Sequence, residues 1–161
     1  MKHPVRRKDR EITDPRELDE ILEKGVFGVL AMCGEEGPYA VPMNYVSRPG
    51  AVYFHCAAEG LKLDILRQNP RGCFSVVLNT DYARPDNPDR SCGWGMFYES
   101  VTVWGPVVFV ESRDEKERSL TELVEKSSGE KFGGSFSGQD LDRVTVFRLD
   151  VEGRSGKARR P

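Results

Sequence analysis

Apolar and polar positions alternate along most of this chain, and the alternation is broken at short intervals by turn residues. The stretch from Gly37 to Gln68 carries the pattern best. Two alternating runs, Tyr39 to Val46 and Ala51 to Cys56, flank a Ser47-Arg48-Pro49-Gly50 turn and predict a β-hairpin. The second run ends at His55 and leads through Ala57-Ala58-Glu59-Gly60 into a short helix, Glu59 to Gln68, with Leu61, Ile65 and Leu66 as its buried face. Lys62 falls in the opening turn of that helix. A cation beside the free N–H groups of a helix start predicts an anion site.

The rest of the chain frames this corner. Met1 to Ile12 is charged and aperiodic. Asp14-Pro15 opens a helix, with Thr13 or Asp14 as N-cap, Leu18, Ile21 and Leu22 on one face, and Gly25 as the C′ residue. Val26 to Cys33 reads as a strand in which Gly28 marks a bend or a close backbone approach, and Gly34 to Gly37 as a hairpin turn. Pro42 places the next strand at a sheet edge or a bulge. Asn69-Pro70 stops the second helix. Cys73 to Leu78 is a strand, Thr80 to Ser91 a long polar loop, and Trp94 to Trp104 a strand broken by Gly105-Pro106, at a bulge or corner of a curved sheet, before Val107 to Val110. Ser112 to about Lys126 predicts a surface helix, Ser127 to Gly138 a mobile Gly/Ser-rich link, and Val144 to Val151 the last strand. Short strands joined by hairpins, with three helices inserted, predict an antiparallel barrel or sandwich.

Composition narrows the function classes. The 161 residues suit a single domain, with a basic N-terminal arm at 1–12 and a basic C-terminal tail at 152–161. The net charge of −2 gives no reason to expect nucleic acid, and no stretch reads as a signal peptide or membrane span, so a cytoplasmic protein is expected. Cys33, Cys56, Cys73 and Cys92 form no CxxC pair, which predicts reduced thiols and no metal site, with Cys92 the most reactive. No dinucleotide fingerprint, Walker A motif, HExxH or GxSxG is present. From the residues alone the reading stops at a β domain with an anion site near His55 and Lys62.

Four segments carry a resemblance: RRKDREITDPRELDEIL, YAVPMNY, VYFHCAAEGLKLDILRQNPRGCFSV and YESVTVWGPVVFVE. In order and spacing they resemble the FMN-binding split-barrel superfamily, and within it the nitroimidazole-resistance (Nim-type) branch of the pyridoxamine 5'-phosphate oxidase-like proteins. The resemblance implies a mainly β fold, a six-stranded antiparallel Greek-key split barrel with peripheral helices. It implies a homodimer with FMN at the subunit interface. Carried onto this chain, Ala40, Val41, Pro42, Met43 and Asn44 would line the flavin ring, and His55, Cys56 and Lys62 the ribityl-phosphate end. Tyr98 and Ser100 would come from the partner, and Lys157 would add to the anion site. His55 is the candidate catalytic residue. The function implied is that of an FMN-dependent oxidoreductase passing electrons to a small nitroaromatic or quinone-like acceptor. The alternatives are a non-enzymatic flavin-binding or sensing module, and a haem-binding split barrel with His3 or His55 as ligand. Cys56 departs from the family, where a Ser or Thr hydroxyl often follows the histidine. The extended basic substrate-binding set of true pyridoxamine-phosphate oxidases is absent.

Overall fold

The computed structural model describes residues 4–87, 89 and 91–161. The strands are β1 (Glu11–Ile12), β2 (Phe27–Gly34), β3 (Gly37–Asn44), β4 (Val46–Arg48), β5 (Ala51–Ala57), β6 (Arg71–Ala83), β7 (Gly95–Phe109), β8 (Val144–Asp150) and β9 (Gly153–Arg159). The helices are α1 (Pro15–Lys24), α2 (Leu61–Gln68), α3 (Arg113–Ser128) and α4 (Gly138–Asp142). All strand pairs are antiparallel and follow the order β3-β2-β6-β7-β8-β5-β4, with β9 added on β7 and β1 on β9. The sheet does not close on itself. Its two ends, β3 and β4, are successive in the chain and part at Tyr45, which gives a split barrel. The expected architecture is therefore present, enlarged by the short strands β1 and β4 and by β9. No helix among the described residues is long and apolar enough to cross a membrane.

The alternation read in the sequence explains the core. Leu30, Phe54, Phe74, Val76, Val101, Val103, Phe147 and Leu149 point inward from five strands and are fully buried. Phe54 sits edge-on to Phe74, with ring centroids 4.9 Å apart, and stacks on Phe147 at 5.3 Å. A second cluster (Val46, Tyr53, Val146, Leu120, Leu123 and Leu141) lies on the outer side of β4, β5 and β8, beneath α3 and α4. Helix α1 begins as expected. Asp14 caps it by accepting a hydrogen bond from the Arg16 N–H at 2.9 Å, Pro15 takes the first position, and Leu18, Ile21 and Leu22 are buried.

Several boundaries differ from the sequence reading, each for a physical reason. The run from Tyr39 to Val46 is not one strand. It pairs with β2 as far as Asn44, turns at Tyr45, and pairs with β5 only from Val46. The hairpin turn shrinks to Pro49-Gly50, with Gly50 at φ +79°. Helix α2 starts at Leu61, after Gly60 at φ +130°, and buries Leu63, Ile65 and Leu66. Leu61, at the first position, is turned out and 55% exposed. Gly25 is not a left-handed C′ residue: its φ is −70°. A side chain there would strike the Tyr45 hydroxyl and Val76. Gly28 is a close approach, since a Cβ would stand 2.7 Å from the Ser75 carbonyl oxygen.

The polar stretch from Thr80 is not all loop. β6 runs on to Ala83 through a register shift between Leu78 and Asp81, where Asn79 has φ +52°. Gly105-Pro106 does not end a strand. β7 is continuous, but along one edge its partner changes there from β9 to β8, which makes the predicted corner. The Gly/Ser-rich link contains α4, closed by a capping box between Ser137 and Asp140. The basic C-terminal tail is strand β9, and Arg154 and Arg160 pair with Asp19, Glu17 and Glu99. Lys2 and His3, and the side chain of Cys92, lie outside the described residues.

Tyr45 holds the break in the barrel. Its hydroxyl donates to the Leu22 carbonyl at 2.7 Å, which also accepts from Lys126 Nζ at 3.2 Å. Tyr45→Phe removes one of these two donors, and we expect it to lower stability by about 1 kcal/mol in urea denaturation.

Candidate functional site

The residues singled out in the sequence fall into two groups. The first gathers at the open edge beside α2. β3 is the terminal strand of the sheet path, so half the peptide groups of residues 40–44 point away from β2. Strand alternation sends Val41 and Met43 inward against the core and leaves Ala40, Pro42 and Asn44 on the outer face. Lys62, at the second position of α2, reaches back to β3, with its Nζ 3.4 Å from the Met43 sulfur. Among the described residues no carboxylate lies within ion-pairing reach of that ammonium, although thirteen ion pairs occur elsewhere.

His55 and Cys56 sit on β5 and, as strand neighbours, face opposite ways. Cys56 packs against the barrel core on the α2 side. His55 faces a cleft of about 700 Å³ that it shares with Asn44 and with Leu120, Leu123 and Val124 of α3. His55 Nδ1 is buried without a hydrogen-bond partner. An unsatisfied buried nitrogen costs on the order of 1–3 kcal/mol, a cost more readily kept at a working site than in a structural core. Burial, and then the positive charge of Lys62, push the imidazole below its ordinary value of 6.5, so His55 is neutral at pH 7. Burial also raises the Cys56 thiol, against the opposing pull of Lys62 and Arg67, which keeps Cys56 a thiol and not a thiolate.

The second group is Tyr98 and Ser100 on β7 with Lys157 on β9. Ser100 is paired with Lys157 and its hydroxyl donates to the Lys157 carbonyl at 3.2 Å. Between β3 and β7 stand β2 and β6, a separation of three strand spacings, roughly 14 Å. The two groups are thus not brought together within one chain, although Ala40, Pro42 and Asn44 of the first and Tyr98, Ser100 and Lys157 of the second lie on the outer face of the same sheet. Between them that face exposes apolar side chains around a Ser75–Thr102 hydroxyl pair: Phe27 is 64% exposed, Val29 43% and Val77 54%. The sequence reading treated Val26 to Cys33 as an apolar run and missed this exposed stripe. Sequence reasoning also missed Arg143, which lines the His55 cleft together with Phe136.

The sequence pattern of the family described as pyridoxamine 5'-phosphate oxidase matches residues 14–158. The chain belongs to that family. No curated protein sequence matches it. Among solved structures, a candidate 5-nitroimidazole antibiotic resistance protein from Bacteroides thetaiotaomicron is 26% identical with a TM-score of 0.79, covering 91% of this chain and 85% of that one. The flavocytochrome Anf3 from Azotobacter vinelandii is 17% identical with a TM-score of 0.84, covering 99% and 73%. An FAD- and heme-binding protein from Mycobacterium smegmatis is 16% identical with a TM-score of 0.81, covering 94% and 74%. At their identities the last two establish the shared fold only. The family assignment and the split barrel agree with what the four sequence segments resemble.

The electrostatics of His55 give a direct test. Nuclear magnetic resonance titration should place its protonation below 6.5, and Lys62→Met should move it upward by removing a like charge. A depressed folded value means that the unfolded chain takes up the proton first. The stability that His55 contributes is therefore complete above about pH 6.5 and is lost as pH falls through the folded midpoint. In a pH series of urea midpoints, His55→Gln should flatten that loss.

Proposed function

We propose that this protein binds a flavin, FMN, at the open edge of the barrel and works as an FMN-dependent oxidoreductase on a small nitroaromatic or quinone-like acceptor. The observation that carries the reading is Lys62: a half-buried ammonium at a helix start that reaches the β3 edge and is unpaired with any described carboxylate. An ammonium with no counter-ion in the protein is available to an anionic ligand, and a phosphate suits both the charge and the free N–H groups of α2.

The residues present fit the cofactor. Lys62 would pair with the phosphate. Those peptide groups of residues 40–44 that point away from β2 would hydrogen-bond the ring, and Pro42 has no N–H to offer a further strand. A bound flavin supplies two-electron redox chemistry, and the protein's part is to bind, orient and shield it. His55, neutral and half-buried, holds a single transferable proton at the site. Support for the Nim-type branch comes from the Bacteroides protein, whose described role is 5-nitroimidazole resistance.

The reading includes a homodimer formed through the outer face of the β3-β2-β6-β7 sheet. The exposed Phe27, Val29 and Val77 would be buried there, and the partner's Tyr98, Ser100 and Lys157 would be carried toward the β3 edge, which they do not reach within one chain.

An absorbance spectrum followed by FMN titration tests the cofactor. FMN is expected to bind stoichiometrically, and Lys62→Ala should weaken binding by roughly 1.5–3 kcal/mol. Uptake of hemin instead, with a Soret band lost in His55→Ala, would replace the cofactor and keep the fold. FMN binding with no NAD(P)H consumption in the presence of nitroaromatic or quinone acceptors would leave a flavin-binding module and no enzyme. For the dimer, Val29→Glu places a charge at the centre of the apolar face. Sedimentation velocity should show the wild type as a dimer and the variant shifted to monomer with weakened FMN binding.

A further inference from the structure

The cleft between α3, α4 and β5 lies next to the proposed flavin edge and shares Asn44 with it. Its volume, about 700 Å³, is that of a small-molecule site. Leu120, Leu123 and Val124 of α3 form one wall, and Phe136, stacked on Phe132 at 5.1 Å, forms another. These surfaces suit a flat apolar ring. The polar lining is His55, Asn44, Ser127, Ser128 and Asp140, together with Arg143.

Arg143 stands at the rim and is exposed. The carboxylates nearest to it in the chain are already engaged. Asp140 accepts from the Ser137 N–H and hydroxyl at 2.9 and 2.7 Å, and Asp142 pairs with Arg113 at 3.4 Å. Among the described residues no ion pair is made by Arg143. The cleft thus carries one guanidinium, which makes no ion pair, and one carboxylate, Asp140, which feels the charge of Arg143 but spends its hydrogen bonds on Ser137. The N–H fork of Arg143 keeps the geometry that matches a carboxylate.

We propose that this cleft is the acceptor subsite and that it selects a flat aromatic ring bearing a carboxylate, with the ring against Leu123 and Phe136 and the carboxylate on Arg143. The assignment as an acceptor subsite rests on the flavin reading above; the ligand class rests on the cleft alone.

Calorimetric titration of the full-length protein with 4-nitrobenzoate and with neutral 4-nitrobenzyl alcohol tests it. The carboxylate should bind about fivefold or more tighter, and added salt should erode the difference. Arg143→Gln should abolish the preference while leaving the alcohol's affinity in place. Val124→Glu, at a half-exposed wall position, should weaken the carboxylate selectively. Equal binding of the two compounds, binding of neither, or a preference that survives Arg143→Gln would each overturn the proposal. A parallel FMN titration separates the two readings. FMN binding without carboxylate preference removes only this inference. Carboxylate preference that depends on Arg143, without FMN binding, leaves the ligand class standing and removes the flavin.

Discussion

At Tyr45 the chain leaves one end of the sheet, β3, and enters the other, β4, and the barrel stays split because that crossing is fixed. The phenol is buried and donates to the Leu22 carbonyl at the end of α1. Its ring meets Phe74 edge-on at 4.7 Å, and the Lys126 ammonium lies 3.9 Å from the ring centre. One side chain therefore ties α1, the core and α3 to the point where β3 and β4 part. Burial lowers Lys126 to about 8 and raises the Tyr45 phenol, as expected for polar groups retained inside a packed junction. Gly25 is part of the same arrangement, because any side chain there would occupy the space of the Tyr45 hydroxyl.

The consequence of the split is an open edge with chemistry beside it. A closed barrel would cover β3 with another strand and use up its outward peptide groups. Here those groups stay free, and α2 is set down next to them by the Gly60 turn, which points Lys62 back at Met43. The site is built from strand, helix start and sheet edge, each held by the core on its other side. On the proposed reading, such positioning suits the holding of an anionic cofactor in one orientation. The separation of Tyr98, Ser100 and Lys157 from that edge makes the exposed apolar face more than a surface feature. On the proposed reading, assembly buries the face and completes the site in one event.

Much of this was legible in the sequence because it depends on local rules. The Asp14-Pro15 helix start, the Pro42 edge, the Asn69-Pro70 stop and the Gly105-Pro106 corner each follow from what one residue's backbone permits. The proximity of His55 and Lys62 was also local, since one short turn joins β5 to α2. Failures came where long-range packing overrode a local signal. A basic tail became β9 because β7 offered a free edge with Asp19, Glu17 and Glu99 beside it. Leu61 was turned out because the helix begins two residues later than its composition suggests, so Leu61 falls at its first position.

By itself, then, the sequence determined the antiparallel class, the positions of most strands and helices, the turn that joins His55 to Lys62, and the family. Periodicity and backbone stereochemistry act within a few residues, and the family's segments are read in order along the chain. Only the tertiary structure decided that one apparent strand divides at Tyr45, that one face of β2 stays exposed, that His55 and Cys56 face different compartments, and that Arg143 meets the His55 cleft. Those outcomes depend on which strands pair and what packs on each face, and pairing is set by contacts between residues far apart in the chain.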